Sequence, residues 1–402
     1  MAQKKLMLLG GIRYLLPAIE VAHSQCNHVI TVDYLPNNVA HKFSDEYYNV
    51  SIIEKDKEKV LALARQLNID GILSYAVDPG VVTAAYVAEQ MSLPFSCSYE
   101  TACILQDKSL FRQFLIDNGF NAPHAKGYTN AEDALKDIDY FNWPVIVKPV
   151  DSAGSKGVTR VDDPKDLKAA ILHALDESHN GHFIIEDFLE KEGLSSGSES
   201  FYFDGELVYN AFYDQYFDPN ASNPYTPSAE CWPANKPDSI INDVKDQLKK
   251  LGHLLNFRTG LFNIEWRVCK GKVYLMEVSP RAGGNRLAEI LNYATDVDII
   301  KAEVSKALSE PLPPVHEPNY KGNYCILVLH SDKVGLFKSI EINGNLVGEI
   351  IEKEIRVKEG EQVESFAGAN NAIGTLFLKF DSREEMDYAL NHQSEWLKIN
   401  IE

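Results

Sequence analysis

The chain has 402 residues, 45% of them hydrophobic and 24% charged, which leaves room for roughly 2–3 globular domains and excludes a disordered, collagen-like or coiled-coil chain. Thirty-nine Lys and Arg against 58 Asp and Glu give a net charge of −19, which argues against wrapping DNA or RNA and against docking on an anionic membrane. The six cysteines include no C-x-x-C pair and fit reduced thiols in a cytoplasmic protein, and no apolar run approaches the ~18 residues of a membrane-spanning helix.

The start of the chain superficially suggests a signal peptide, but Arg13 and Glu20 interrupt the apolar run, so residues 6–9 read as a strand entering the Gly10-Gly11 turn. A helix to about residue 25 follows, then strands at 29–32 and 47–53. Next come a helix at 57–67, a strand at 71–75, a helix at 81–90 and a short fifth strand at 94–96. This βαβ rhythm predicts a doubly wound parallel sheet. Residues 107–125 read as a helix ending at Asn118-Gly119. A buried strand at 143–149 leads into the small-residue segment 151–157, followed by a strand at 158–161, a helix at 164–177 and a strand at 182–189. Strands at 199–203 and 206–213 flank Asp204-Gly205, a hairpin signal. Five prolines mark 214–238 as a long loop. An amphipathic helix at 239–255 precedes a second hairpin, 260–268 and 273–278, around Lys270-Gly271. Helices cover 286–308, prolines mark a linker at 311–318, and the rest is strand-rich, closing with a helix from Arg383.

Four clusters carry candidate chemistry. Gly10-Gly11 with Asp33 lacks the later glycines of a dinucleotide fingerprint and reads as a tight turn. Lys148, at the end of a buried strand, is followed by Ser152, Gly154, Ser155, Lys156 and Gly157. A small-residue loop lets backbone N–H groups approach phosphate oxygens, with lysine adding positive charge, although the same composition serves a flexible hairpin. Glu265 and Glu277 each lie six residues from Gly271 and face each other across the hairpin. Like charges in that position are unfavourable unless a hard cation sits between them; the plainer alternative is a pair of solvated carboxylates. Finally, Arg281, Gly283, Gly284 and Arg286 form a Gly-rich segment able to hold a phosphate or a carboxylate, or simply a turn with surface arginines. His173, His179 and His182 read as solvated surface, and Tyr209, Tyr213, Tyr216 and Phe217 as packing residues.

In order and spacing these elements resemble the ATP-grasp superfamily of carboxylate–amine ligases. The resemblance is carried by Asp107-Lys108-Ser109-Leu110-Phe111-Arg112, by Pro144-Val145-Ile146-Val147-Lys148-Pro149 with its Gly loop, by Ile185-Glu186-Asp187-Phe188-Leu189, and by Glu265 with Glu277-Val278-Ser279-Pro280-Arg281. It implies an α/β fold in three parts: a Rossmann-like pre-grasp domain at 1–105, a two-subdomain grasp domain at 106–317 whose lid covers about 120–187, and a β-rich domain at 318–402. It further implies ATP with Mg²⁺ or Mn²⁺. Lys108 and Lys148 would contact phosphates under a lid containing Ser152, Gly154, Ser155, Lys156 and Gly157. Glu186, Asp187, Phe188 and Leu189 would hold adenine and Glu199 the ribose. Glu265, Glu277 and Ser279 would ligate metal, Ser279 standing where the family has asparagine. Arg281 would stabilise the reacting oxygens, with Lys148 and Lys156 sharing the charge. Arg281, Gly283, Gly284 and Arg286 would bind substrate, as in the amino-acid-ligase and carnosine-synthase-like branch.

The implied activity is ADP-forming ligation of a small-molecule carboxylate to an amine, in an enzyme that is a homodimer in many such cases. Phosphoribosylglycinamide-synthetase-like and carbamoyl-phosphate-synthase-like enzymes are alternatives within the superfamily, and a non-catalytic ATP-binding regulator is an alternative outside enzymology. A Rossmann-type oxidoreductase is disfavoured by the incomplete glycine fingerprint.

Overall fold

A computed structural model describes residues 3–152 and 156–402. The N-terminal strands are β1 (Lys5–Leu9), β2 (His28–Val32), β3 (Glu46–Tyr48) and β4 (Gly71–Leu73), all parallel in the order β3-β2-β1-β4. Leu6 to Leu9 are fully buried, as expected of a central parallel strand covered on both faces. Helices Leu16–Ser24, Lys57–Leu67 and Val81–Met91 provide the crossovers. The third strand is shorter than its sequence run suggests. The expected fifth strand at 94–96 does not form. Instead the Ser96 carbonyl accepts from the Arg258 amide at 2.8 Å, and its hydroxyl accepts from buried Lys306 at 3.2 Å. That segment spends its polar groups on the rest of the molecule rather than on a sheet edge.

The expected helix is Lys108–Asp117, and a second, unmarked helix, Tyr99–Gln106, precedes it. Asp107 separates them and accepts from the Ser109 and Leu110 amides, an N-cap that starts the second helix with Lys108 at its mouth. The lid follows: β5 (Ala125–Tyr128), β6 (Val145–Pro149), β7 (Thr159–Val161) and β8 (Phe183–Asp187), antiparallel in the order β5-β8-β6-β7. Val145, Val147, Val161, Phe183 and Ile185 pack with Leu167 and Ile171 of helix Leu167–Asp176 in a small core of its own.

The central sheet begins with β9 (Ser195–Phe203), β10 (Glu206–Phe217), β11 (Pro227–Trp232), β12 (Gly260–Cys269) and β13 (Lys272–Ser279), and continues through β14 (Asn323–Leu329). Of the remaining strands, β15 (Gly335–Ile342), β16 (Glu349–Ile355), β17 (Gln362–Val363), β18 (Gly374–Phe380) and β19 (Leu397–Ile401), two join it. The resulting order is β13-β12-β9-β10-β11-β14-β18-β16, with a separate small sheet β17-β15-β19. The proline-rich stretch expected to be one long loop therefore contains β11, with Ala229, Cys231 and Trp232 essentially buried, and β11 pairs antiparallel with β14. Its prolines fall at the strand's first residue and just beyond its last, where a missing N–H does least harm. Helix Ile299–Ala307 carries the buried Lys306–Glu303 ion pair (2.7 Å) and ties the N-terminal unit to this sheet.

Candidate active site

The lid, the helix starting at Lys108 and the hairpin β12/β13 converge on one cleft. Its lining includes Asp78, Gln106, Lys108, Asp151, Ser152 and Glu277. The Lys108 ammonium donates to the Ser152 carbonyl at 2.9 Å and lies 3.7 Å from Glu277. It thus bridges the lid loop and the sheet. Lys148 reaches Glu186 at 2.6 Å, and Arg112 donates its Nε to the other Glu186 oxygen at 2.9 Å. All three are buried. Burial pushes the Glu186 carboxyl upward, but the Arg112 and Lys148 charges overcome it and hold it down at about 2. Burial in turn lowers the Lys148 pKa. Arg112 also donates to the carbonyls of Leu275 and Met276, stitching the lid to β13.

Glu265 and Glu277 are direct cross-strand partners, as their spacing predicts. Burial first, and then the Glu277 charge, push the Glu265 carboxyl up to about 7. A carboxylate pair with Lys108 3.7 Å from one member is a donor set that a hard cation relieves. Among the described residues no three acidic, His or Cys side chains converge as a complete metal cage, so an ion here would rely on two carboxylates plus phosphate oxygens.

Several of the expected site residues have partners within the protein. The Ser279 side chain is fully buried, and its hydroxyl accepts from Gln106 Nε2 at 2.8 Å and donates to Asp78 at 3.3 Å. It belongs to the network that includes Asp78 and Arg281. Glu199, expected at the ribose, accepts from Asn263 at 2.7 Å and from the Gly283 amide at 3.0 Å, which places it under the 281–284 loop. Burial raises it to about 7 against those hydrogen bonds. Gly283 is glycine for a packing reason. A Cβ there would meet Leu287 at 2.4 Å and Glu199 at 2.6 Å, and its amide is used by Glu199 rather than left for a substrate. Gly284 faces open space, with Tyr14 at 3.8 Å from a built Cβ.

Arg286, expected to bind substrate, is instead saturated. It donates to Glu289 and Glu352 and to the Thr375 hydroxyl, and it stacks over Phe377 at 4.4 Å. In the segment 186–189, Glu186 is held by the Lys148–Arg112 pair. Asp187 accepts from the Asn142 backbone and side chain, and the Phe188 amide donates to Pro144 while its ring lies under Arg160. The side chains of Glu186 and Asp187 are thus committed to protein partners. In the lid loop, Ser152 donates to the Glu177 carbonyl. Gly157 sits at φ +68° against Pro149, and Lys156 is exposed. Gly154 and Ser155 lie outside the described residues.

Arg281 is held by a residue the motif pattern does not mark. Asp78, in the turn after β4, accepts its Nε at 2.6 Å and its Nη2 at 2.7 Å. Burial works against the Arg281 charge, and Asp78 overcomes it and raises the pKa. Glu230 and Arg267 were also unmarked. Glu230 is buried on β11, bonded to Asn285 at 2.7 Å and pushed up to about 8 mainly by burial. Arg267, two residues beyond Glu265, has a buried Nε without a partner among the described residues. The signal for Arg267 was present in the strand alternation from Glu265. For Glu230 it was hidden, because β11 itself was read as loop.

Comparison with known proteins agrees with this architecture. Residues 141–289 match the family model of the ATP-grasp domain. The C-terminal section of the carbamoyl phosphate synthase large chain from Aquifex aeolicus is 28% identical over 220 residues, covering 54% of this chain and 40% of that one. The large chain from Clostridium perfringens is 25% identical over 287 residues, covering 70% and 26% respectively. The matched region thus spans less than half the length of these relatives. Among solved structures, L-amino acid ligase from Bacillus licheniformis superposes with a TM-score of 0.81 at 19% identity, covering 100% of both chains. Phosphoribosylglycinamide synthetase from Anaerococcus prevotii gives 0.76 at 20%, again over 100% of both. Residues 141–289 thus resemble an ATP-grasp domain, and the chain as a whole shares the fold of these solved structures. Among the described residues no helix is long and apolar enough to cross a membrane.

Proposed function

We propose that this ATP-grasp chain is a Mg²⁺-ATP-dependent, ADP-forming ligase that joins a small-molecule carboxylate to an amine. The observation that supports the reading best is the grouping of Lys108, Glu277 and its cross-strand partner Glu265, with the Lys148–Glu186–Arg112 centre linked to it by the helix that carries both Lys108 and Arg112, and Arg281 held by Asp78, which lines the same cleft as Lys108. ATP would lie between lid and sheet, its phosphates against Lys108 and Lys148. Mg²⁺, held by Glu265 and Glu277, would supply charge neutralisation at the phosphates. The substrate carboxylate oxygen attacks the γ-phosphorus and ADP leaves. The amine then attacks the acyl carbon of the resulting acyl phosphate, and phosphate leaves as the amine proton is lost. The protein contributes positioning and fixed charge, and the lid keeps water from the acyl phosphate. Names attached to the relatives bracket the substrate class: amino acid, amino sugar phosphate, or carbamate chemistry. A cytoplasmic setting, a homodimer and a three-part division near residues 105 and 317 complete the reading.

A coupled ADP-release screen across carboxylates and amines tests it, preceded by a thermal shift with Mg²⁺ and a non-hydrolysable ATP analogue. Lys148→Ala and Glu277→Gln are each expected to abolish ADP release. Near-normal turnover in either removes the assignment.

A further inference from the structure

We infer that Asp78 is a positioning residue for Arg281, fixing the guanidinium so that only one edge remains to hold the anion formed in the reaction. The inference rests on the ligase reading above and adds a residue from the N-terminal unit to it.

The donor inventory of Arg281 carries the argument. A guanidinium has five N–H groups. Nε and one Nη2 hydrogen go to the two Asp78 oxygens at 2.6 and 2.7 Å, a bidentate side-on pair. One Nη1 hydrogen goes to the Ala282 carbonyl at 2.6 Å. Among the described residues, that leaves one N–H on each terminal nitrogen without a partner. These two donors are enough for a second bidentate contact to a carboxylate or phosphoryl group, and the rest of the side chain is pinned. Arg281 itself is only 8% exposed, so it has little freedom to turn.

Asp78 is well anchored for this task. Its other contact is the Ser279 hydroxyl at 3.3 Å, which in turn accepts from Gln106. The turn that carries it is stiff: the Ser74 hydroxyl donates to the Val77 carbonyl, and a Cβ at Gly80 would strike Ser74 and Leu9. Ala76, in the same turn, is held at φ +55°, a left-handed conformation that costs a non-glycine residue energy and persists only where surrounding packing imposes it. Val77 fills the space beside Gly10, where a Cβ would meet it at 2.8 Å. A carboxylate on so fixed a turn does not swing aside to admit a substrate; it orients what it binds. The serine at position 279 also finds a use here, since its short hydroxyl links Gln106 to Asp78.

The test uses the full-length protein and three readouts. In the wild type the Arg281 Nε–H, hydrogen-bonded to Asp78, is expected to give a slowly exchanging ¹⁵N resonance, identified by its loss in Arg281→Lys. Asp78→Asn is expected to expose that proton to solvent exchange and to lower kcat for ADP release about 100-fold, the size of effect seen when one charge-stabilising donor is lost. The KM for ATP and the thermal shift with MgATP are expected to stay within twofold, because Lys108 and Lys148 hold the nucleotide independently. Asp78→Glu, which keeps a bidentate carboxylate, is expected to recover part of the rate and controls for a folding defect. Asp78→Asn turning over at more than half the wild-type rate overturns the inference, as does tighter binding of inorganic phosphate in the presence of MgADP, which would make Asp78 a blocking group. If wild type shows no MgATP shift, the ligase reading fails first, and the exchange signature still decides whether Asp78 fixes Arg281.

Discussion

Arg281 and Arg286 lie five residues apart in one Gly-rich loop, and the sequence treats them alike. The fold does not. Arg281 meets a single carboxylate from a distant unit and keeps two N–H groups without a partner among the described residues. Arg286 meets Glu289, Glu352 and Thr375 and lies over Phe377, so its charge is consumed in fastening the loop to β16 and β18. The neighbouring glycines divide the same way: Gly283 is jammed against Glu199 and Leu287, and Gly284 is open. Residue type alone does not separate chemistry from architecture; unused hydrogen-bonding capacity does. Groups with capacity left should register in turnover, and saturated groups in stability.

The largest effect expected is at Arg281. Arg281→Ala should reduce ADP release about 100- to 1,000-fold, with the unfolding midpoint little changed. A large stability loss with turnover retained would merge the two arginines into one class. Glu186 extends the comparison to a saturated carboxylate, and its signature is pH. Its folded pKa of about 2 lies below its ordinary value near 4.5, so the stability it provides is present above about pH 4.5 and is lost as pH falls toward 2. On the order of 3 kcal/mol is at stake, since each unit is worth about 1.4 kcal/mol. Urea unfolding followed from pH 7 to pH 2.5 should show that loss, and Glu186→Gln should lower stability throughout while flattening the slope in that window.

Arg286→Ala should cost about 2 kcal/mol in denaturant unfolding, because Glu289 and Glu352 are left facing each other half-exposed. The specific activity of the folded fraction should be retained, and a matching collapse of kcat would break the comparison. The smallest effect should be Gly284→Ala, under about 0.5 kcal/mol, against about 2 kcal/mol for Gly283→Ala, read from the two midpoints.

Much of the fold was legible because its determinants are local. The apolar run Leu6–Leu9, the Asp204-Gly205 and Lys270-Gly271 turns and the period of helix Asp238–Leu254 each act within a few residues. The Glu265–Glu277 pairing was legible for the same reason, a hairpin register fixed by its own turn. The errors share a different cause. β11 was read as loop because its flanking prolines dominate a local reading, whereas the strand exists through pairing with β10 on one side and with β14 almost a hundred residues later. Asp78 and Arg281 are likewise far apart in the chain, and no spacing rule connects them. Glu199 was assigned to the ribose on resemblance alone, and no local pattern fixes its partners. In the fold it lies on β9 opposite Asn263.

The pairing of β11 with β14 also bears on how the molecule can be cut. The proline-rich stretch before β14 looks like a seam, the kind of place where a gene is trimmed to isolate a nucleotide-binding core. Hydrogen bonds run straight across that seam, from Trp232 opposite Tyr324 to Ala229 opposite Leu327. A truncation there turns an interior strand into a raw edge, with buried Ala229 and Cys231 laid open beside a row of unpaired amides. Such an edge invites another chain to complete it. A shortened version is therefore expected to aggregate unless a second strand is supplied, and the last eighty residues are better regarded as the finishing of the central sheet than as an appendage to it.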